Sequence, residues 1–367
     1  INIYHNQKSH DIIYLEKIIR TIKNTGSVAI KFCQWIIPKL EIIYLEENEI
    51  LSDHKPIWLK KLEELYDDCN QHSLEYTIQE YQRIFNEKLT DNYEILDILG
   101  SGSIGQVYLI KSKPLTQYSI PQEYVLKILH PNVKNEIYYF RLYYHFVKRI
   151  PTIKRYIQKY FPFDIGGFIN DFEIQSNFIN ESNNLLTFQE NYRENDMIII
   201  PNLIKCSKNI MIMSYEKGVK FEDSNIDDYH KSKIALLLVG FMRNNQQICN
   251  FHHGDLHKGN WKVKLCSDNK YRLIVYDYGF CWKVPLHKKS GINGLIDIFE
   301  DSDVDLQKID YHKMTNILVF LLKYDENKKD IIYDKVYKFL LKNSDKIKPW
   351  VVNPSRLLKL SIDLCLS

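Results

Sequence analysis

The chain has 367 residues, enough for one catalytic core of roughly 250 residues and an extension, and 45% of it is hydrophobic, which supports a sizeable core and argues against disorder. Its 49 Lys and Arg nearly balance its 46 Asp and Glu, so the net charge of +3 gives no support for nucleic acid as a partner. Seven Cys without a CxxC pair argue against a disulfide framework or zinc site and for an intracellular, reducing compartment, and no apolar run reaches the ~18 residues that span a bilayer. The chain opens at Ile1, as a chain trimmed of a leader or anchor would.

In chain order, residues 1–90 are expected to be helical. Ile12, Ile13, Leu15, Ile18, Ile19 and Ile22 recur at helical spacing. A second helix is expected over 28–43 and a third over 58–69. At Tyr93 the texture changes: 93–99 reads as a strand, the glycine-punctuated 100–105 as a turn, 106–110 as a second strand and 124–129 as a third. Helices are expected over 138–160 and 168–192, short strands over 197–200 and 210–214, and an apolar helix over 234–251. Residues 261–265 and 272–276 read as a hairpin around Ser267-Asp268-Asn269-Lys270. The remainder reads as helical, including a Lys-rich, solvated stretch over 323–338 and a packed helix over 357–366. The expected organisation is a helical extension (1–90), a β-rich lobe (91–216) and a mostly helical lobe (217–367).

Three segments carry chemistry. In Gly100-Ser101-Gly102-Ser103-Ile104-Gly105 the glycines let backbone N–H groups approach phosphate, and the turn lies between strands, as in a kinase lid, rather than before a helix. Alone, it is equally a plain hairpin turn. In Tyr124-Val125-Leu126-Lys127-Ile128-Leu129 a Lys stands in mid-strand among apolar residues, which suits a phosphate-binding Lys paired with a helix Glu, or an edge-strand Lys facing water. The third is His253-Gly254-Asp255-Leu256-His257-Lys258-Gly259-Asn260, followed by Asp277-Tyr278-Gly279 at the end of an apolar strand. Asp255 is expected to orient or deprotonate the attacking group, and Asn260 and Asp277 to hold Mg²⁺ against ATP phosphates.

Taken together these segments resemble the UbiB/ADCK family of atypical, protein-kinase-like proteins, from about Gly26 to Gly279. Lys31-Phe32-Cys33-Gln34 resembles that family's KxGQ segment, with Cys33 in place of glycine. Ser103-Ile104-Gly105-Gln106-Val107 resembles its alanine-rich loop, with Gly at 100, 102 and 105. The run from Gln175 to Asn184 resembles its ExD helix, with the amides Gln175 and Asn177 in place of the acids.

The resemblance implies an α+β, two-lobed kinase-like fold. It implies Glu181 as the partner of Lys127, and a hinge at 210–218 whose Met213, Ser214 and Tyr215 meet adenine. It also implies a gate of Lys31 and Gln34 against Gln175 and Asn177, which loses charge where acids have become amides. The implied activity is an ATP- and Mg²⁺-dependent kinase or ATPase directed at a lipid or quinone-type small molecule, with a membrane surface as a further partner and a mitochondrial setting. Two other readings stay open: a small-molecule phosphotransferase of the aminoglycoside or choline kinase type, and a nucleotide-binding pseudokinase scaffold.

Overall fold

The computed structural model describes residues 9–48, 57–62, 65, 71–114, 120–153, 155, 165–223, 225–284, 310–321, 329–342 and 344. The expected helix at 357–366 lies outside them, as do parts of those at 58–69 and 138–160. The chain divides into two compact units, 1–189 with 201–216, and 190–200 with 217–367.

The first unit begins with helices α1 (Ser9–Thr25) and α2 (Ser27–Asn48). They part at Gly26, whose φ of 120° favours glycine. The Glu136 carboxylate accepts from the Val28 N–H at 3.2 Å and satisfies one of the orphan donors at the start of α2. Leu15 and Ile19 of α1, Ile37 of α2, and Leu65 are buried together, with Cys33 packed against them. Burial raises the Cys33 thiol to about 11, so the residue at the family's glycine position behaves as a small core side chain. On another side of α2, Phe32 and Trp35 meet Phe168 with ring centroids 5.3 and 5.1 Å away.

After α3 (Ile57–Leu62), helix α4 (Leu74–Phe85) starts on Ser73, whose hydroxyl accepts from the Tyr76 N–H, and stops on Asn86 in the left-handed region. The one-turn α5 (Leu89–Asn92) leads into β1 (Tyr93–Ser101), β2 (Gly105–Ser112) and β3 (Glu123–Leu129). With β5 (Leu203–Cys206) and β6 (Ile210–Ser214) they form an antiparallel sheet of order β1-β2-β3-β6-β5. Alternate residues Tyr108 and Ile110, Leu126 and Ile128, Ile210 and Ile212 bury one face beneath Tyr81 of α4. Lys127 stands on the other face, opposite Val107 and Met211.

Helices α6 (Val133–Val147), α7 (Ile165–Gln175) and α8 (Phe178–Asn191) complete the unit. The single helix expected over 168–192 is thus two. The Asn177 side chain accepts from the Ile179 N–H at 3.2 Å, so Asn177 starts a new helix where the apolar pattern alone reads straight through.

The second unit contains β4 (Ile198–Ile199), parallel to β9 (Tyr271–Val275), which pairs antiparallel with β8 (Trp261–Leu265). The expected hairpin is present. Helix α9 (Asp228–Asn244) is capped by Asp227, buries Ile234, Leu238 and Phe241, and ends in a π turn over Asn245–Cys249. Strand β7 (His252–His253) pairs with β10 (Cys281–Trp282). Helices α10 (Tyr311–Leu321) and α11 (Lys329–Lys342) pack through Met314 and Leu340. Residues 190–200, expected in the β-rich lobe, belong to this unit because Ile198 and Ile199 pair with Leu273 and Ile274.

One glycine at the turn is explained by packing. A Cβ on Gly105 would run into the Ile128 carbonyl oxygen across the β2–β3 ladder. Gly105→Ala should therefore destabilise the protein by about 1–3 kcal/mol. Urea unfolding followed by circular dichroism checks this, and an unchanged midpoint would show that the strands separate at no cost.

Candidate active site

In the first unit the Lys127 ammonium lies 2.5 Å from a Glu181 carboxylate oxygen, with Lys127 9% and Glu181 2% exposed. Each element dictates its half of this pair. Strand β3 alternates, so Lys127 leaves the core face that Leu126 and Ile128 fill. Glu181 is in the first turn of α8, where the helix dipole favours an anion. Phe178, at the start of the same helix, has its ring centroid 5.8 Å from the ammonium. Glu173, on the preceding helix, pairs instead with Arg141 at 2.5 Å.

The turn 101–105 joins β1 to β2. None of its glycines has a positive φ, so conformational freedom is not the reason for them. Gly100 and Gly102 have open space where a side chain would project, with nothing nearer Gly102 than 3.8 Å, which leaves their backbone approachable. The Ser103 hydroxyl donates to the Gln34 side-chain oxygen at 3.1 Å, and the Gln34 amide donates to the Leu65 carbonyl at 2.8 Å. Gln34 therefore ties the extension to the turn. Lys31 is half-buried one turn earlier on α2, Gln175 ends α7, and Asn177 caps α8.

At the expected hinge, Met213 is buried in β6, between Val125 of β3 and Leu203 of β5. The Ser214 and Tyr215 N–H groups donate to the Asn202 and Glu123 carbonyls at 2.8 and 3.2 Å. Backbone contacts to adenine at these two residues would use their carbonyl oxygens.

The second unit holds the other polar residues in one hydrogen-bonded frame. His253 donates from Nε2 to the Tyr276 carbonyl at 3.2 Å, so in the neutral ring Nδ1 accepts, here from the Asp255 N–H at 3.3 Å. Burial is the largest influence on His253 and lowers its pKa, keeping the ring neutral, as both bonds require. The Asn260 amide donates to the Asp255 carbonyl at 2.8 Å, and the Asn260 carbonyl accepts from the Tyr276 N–H at 2.7 Å. The loop carrying Asp255 and Asn260 is thus pinned to the end of β9, one residue before Asp277.

Asp277 has a φ of 52°, and its Oδ1 accepts from the Gly279 N–H at 3.1 Å. Aspartate tolerates this left-handed conformation better than most side chains because it can bond its own following backbone. Tyr278 is fully buried, with its hydroxyl donating to the Val275 carbonyl at 2.9 Å. Among the described residues no group of three or more His, Cys, Asp or Glu is placed to hold a metal. The donor set fits Mg²⁺ shared with phosphate: one carboxylate, and one amide whose nitrogen is engaged with Asp255 and whose oxygen is the remaining donor atom.

Sequence reasoning missed His72, Gln106 and His130, buried or half-buried residues of the first unit that bond one another and the turn. No spacing rule links positions 72 and 130. The one local sign was a His-Pro pair directly after the Lys127 strand.

A β-sheet with a buried Lys–Glu pair, then an HxD loop, an Asn and an Asp-Tyr-Gly turn, in that order along the chain, mark the protein-kinase-like class. Residues 64–309 match the ABC1 atypical kinase-like domain, and on that match the chain belongs to the ABC1 family, within which the UbiB/ADCK proteins fall. Its fold is accordingly the α+β kinase-like fold.

Among its relatives is the "Probable serine/threonine-protein kinase abkC" of Dictyostelium discoideum, 26% identical over 72% of this chain and 37% of that protein. The "Probable protein kinase UbiB" of Pasteurella multocida is 26% identical over 52% of this chain and 38% of its own length. The "ABC1 family protein YPL109C, mitochondrial" of Saccharomyces cerevisiae is 24% identical over 71% and 41%. The chain thus spans about two fifths of the length of these curated relatives. Among solved structures, the Rv3197–erythromycin complex from Mycobacterium tuberculosis aligns over 75% of this chain and 79% of its own, with 15% identity and a TM-score of 0.44.

Proposed function

We propose that the chain binds ATP with Mg²⁺ and acts as an atypical kinase or ATPase on a small-molecule or lipid acceptor. The observation that carries this is the buried Lys127–Glu181 pair. A buried ion pair is a weak source of stability and is costly to assemble, so its presence between β3 and α8 calls for a functional reason. Lys127 would contact the α- and β-phosphates, with Glu181 fixing its position. Asn260 and Asp277 would hold Mg²⁺, which supplies charge neutralisation to the phosphates. Asp255 would orient the attacking group or accept its proton.

The family match sets this reading ahead of an aminoglycoside or choline kinase type, whose loop HGDLHKGN also resembles. No stretch after Asp277 resembles the APE anchor of an ordinary activation segment, which favours a small acceptor over generic protein substrates. A quinone-type or lipid acceptor and a mitochondrial setting follow by analogy with the relatives named UbiB or mitochondrial. No helix among the described residues is long and apolar enough to cross a membrane. The gate of Lys31 and Gln34 against Gln175 and Asn177 belongs to the same proposal, with Gln34 already tied to Ser103.

The test is calorimetric titration of the wild-type chain and of Asp277→Asn with ATP, with and without Mg²⁺. Asp277→Asn should weaken Mg-ATP at least tenfold, the order expected when one charge-assisted contact worth about 1.5–3 kcal/mol is lost, and leave metal-free ATP unchanged. Equal affinities for both forms in both proteins would refute the metal assignment.

A further inference from the structure

Beneath the glycine turn lies a closed hydrogen-bond circuit in which every proton can be placed. It starts at the Gly102 carbonyl, which can only accept, so the His130 Nε2 that lies 2.9 Å away must carry its hydrogen. In the neutral ring His130 Nδ1 is then an acceptor, and the His72 Nδ1 2.7 Å away must donate to it. That leaves His72 Nε2 as an acceptor, so the Thr77 hydroxyl donates to it at 3.0 Å. With its proton committed, Thr77 accepts from the Tyr108 hydroxyl at 2.9 Å. Tyr108 in turn accepts from the Gln106 amide at 2.7 Å, and the Gln106 oxygen accepts from the His72 N–H at 2.9 Å. The directions agree all the way round.

Thr77, Gln106 and Tyr108 are almost fully buried, and His130 is 9% exposed. A second proton on His130 would set two donors face to face at Nδ1, and one on His72 would set an Nε2–H against the Thr77 hydroxyl. Burial opposes that proton: it lowers His72 to about 4, aided by the neighbouring His130, and it lowers His130 as well.

We infer that His130, held in one tautomer by His72, is a positioning residue of the phosphate-binding turn. The inference rests on assigning residues 100–105 to nucleotide phosphate. His130 grips the turn twice, since its own N–H donates to the Ile104 carbonyl at 2.9 Å while its ring holds the Gly102 carbonyl. In a planar trans peptide the N–H points opposite to the C=O. Turning the Gly102 carbonyl towards His130 therefore turns the Ser103 N–H away from His130. Donation to that carbonyl also polarises the peptide and strengthens the Ser103 N–H as a donor. Phosphate oxygens are the ligand chemistry that such an N–H suits. The circuit thus gives His72, Thr77, Gln106 and Tyr108 a common role as supports.

Three substitutions at one position separate positioning from mere packing. His130→Leu removes the ring bonds to Gly102 and His72, together with the 3.4 Å contact between Nε2 and the Ser101 hydroxyl. His130→Gln places an amide N–H where Nε2 stood and can still hold Gly102. His130→Asn places an oxygen where Nδ1 stood, so it can still accept from His72 but cannot reach Gly102. Mg-ATP affinity should fall roughly three- to tenfold in the Leu and Asn variants, as for one lost hydrogen bond, and return to near wild type with Gln. Nitrogen-15 NMR of the wild type at neutral pH should show His72 protonated at Nδ1 and His130 at Nε2. Hydrogen exchange at residues 102–105 should quicken in Leu and Asn but not in Gln.

If wild type binds Mg-ATP and the Leu variant binds as well, or if Asn restores affinity as fully as Gln, His130 does not position the turn. If the Leu variant fails to fold, the comparison of Gln with Asn decides. If wild type binds no Mg-ATP, the phosphate assignment itself fails and the inference with it, and the exchange rates then report only whether the clasp exists.

Discussion

Glu181→Leu is expected to destabilise the protein by about 3–5 kcal/mol, and adding Lys127→Met to the same chain to recover most of that loss. The reasoning begins with burial. Lys127 is 9% exposed and Glu181 2%, so each charge draws on the other for part of the stabilisation that water would have given. Removing the carboxylate takes away the counter-charge 2.5 Å from the buried ammonium, and the Lys must either stay charged at higher cost or shed its proton. Removing both charges leaves an apolar site of similar volume, which the sheet face accepts readily. Lys127→Met alone should also be costly, because it removes the counter-charge 2.5 Å from the buried Glu181 carboxylate. A double-mutant cycle by urea unfolding isolates the coupling, and a coupling below about 0.5 kcal/mol would mean that solvent reaches the pair. The same double variant should bind Mg-ATP poorly while folding well, which separates the functional role of the pair from its structural one.

How much of this was legible in sequence depended on the range of the signal. The strands around the turn, the hairpin at β8–β9 and the order of Lys127, Asp255, Asn260 and Asp277 are local patterns, and a period-2 alternation or a fixed loop spacing displays them directly. The break between α7 and α8 was hidden, because Asn177 interrupts a stretch whose apolar residues continue at helical spacing, and only its side-chain bond to the Ile179 N–H reveals a new start. The assignment of residues 190–200 to the second unit was hidden for a different reason. Strand β4 has two residues, too short for alternation to show, and its parallel partner Leu273–Ile274 lies over 70 positions away. The His72–His130 contact is the extreme case: tertiary folding alone brings together two residues 58 positions apart, and the His-Pro pair at 130 gives no pointer to His72.

Asp255→Asn is expected to lower turnover by about 10²–10⁴-fold, the usual contribution of a positioned general base, while Mg-ATP affinity stays within about threefold of wild type. The substitution is clean because the backbone of residue 255 is held independently of its side chain. Its N–H donates to His253 Nδ1 and its carbonyl accepts from the Asn260 amide. The His253 ring is in turn fixed by donating to the Tyr276 carbonyl, and Asn260 by accepting from the Tyr276 N–H. Swapping carboxylate for amide therefore removes a proton acceptor and a charge without releasing the loop. Thermal unfolding should confirm this with a midpoint shifted by no more than a few degrees, the size of a ~1 kcal/mol change. His253→Leu offers the contrast, since it cuts both ends of the brace and should lower stability and turnover together. The measurement is single-turnover consumption of bound ATP, with and without quinone- or phospholipid-containing vesicles. If Asp255→Asn consumes ATP as fast as wild type, Asp255 is not the base. If neither protein consumes ATP although both bind Mg-ATP, the chain is a nucleotide-binding scaffold and the frame around Asp255 serves only to hold Asn260, the proposed metal ligand, in place.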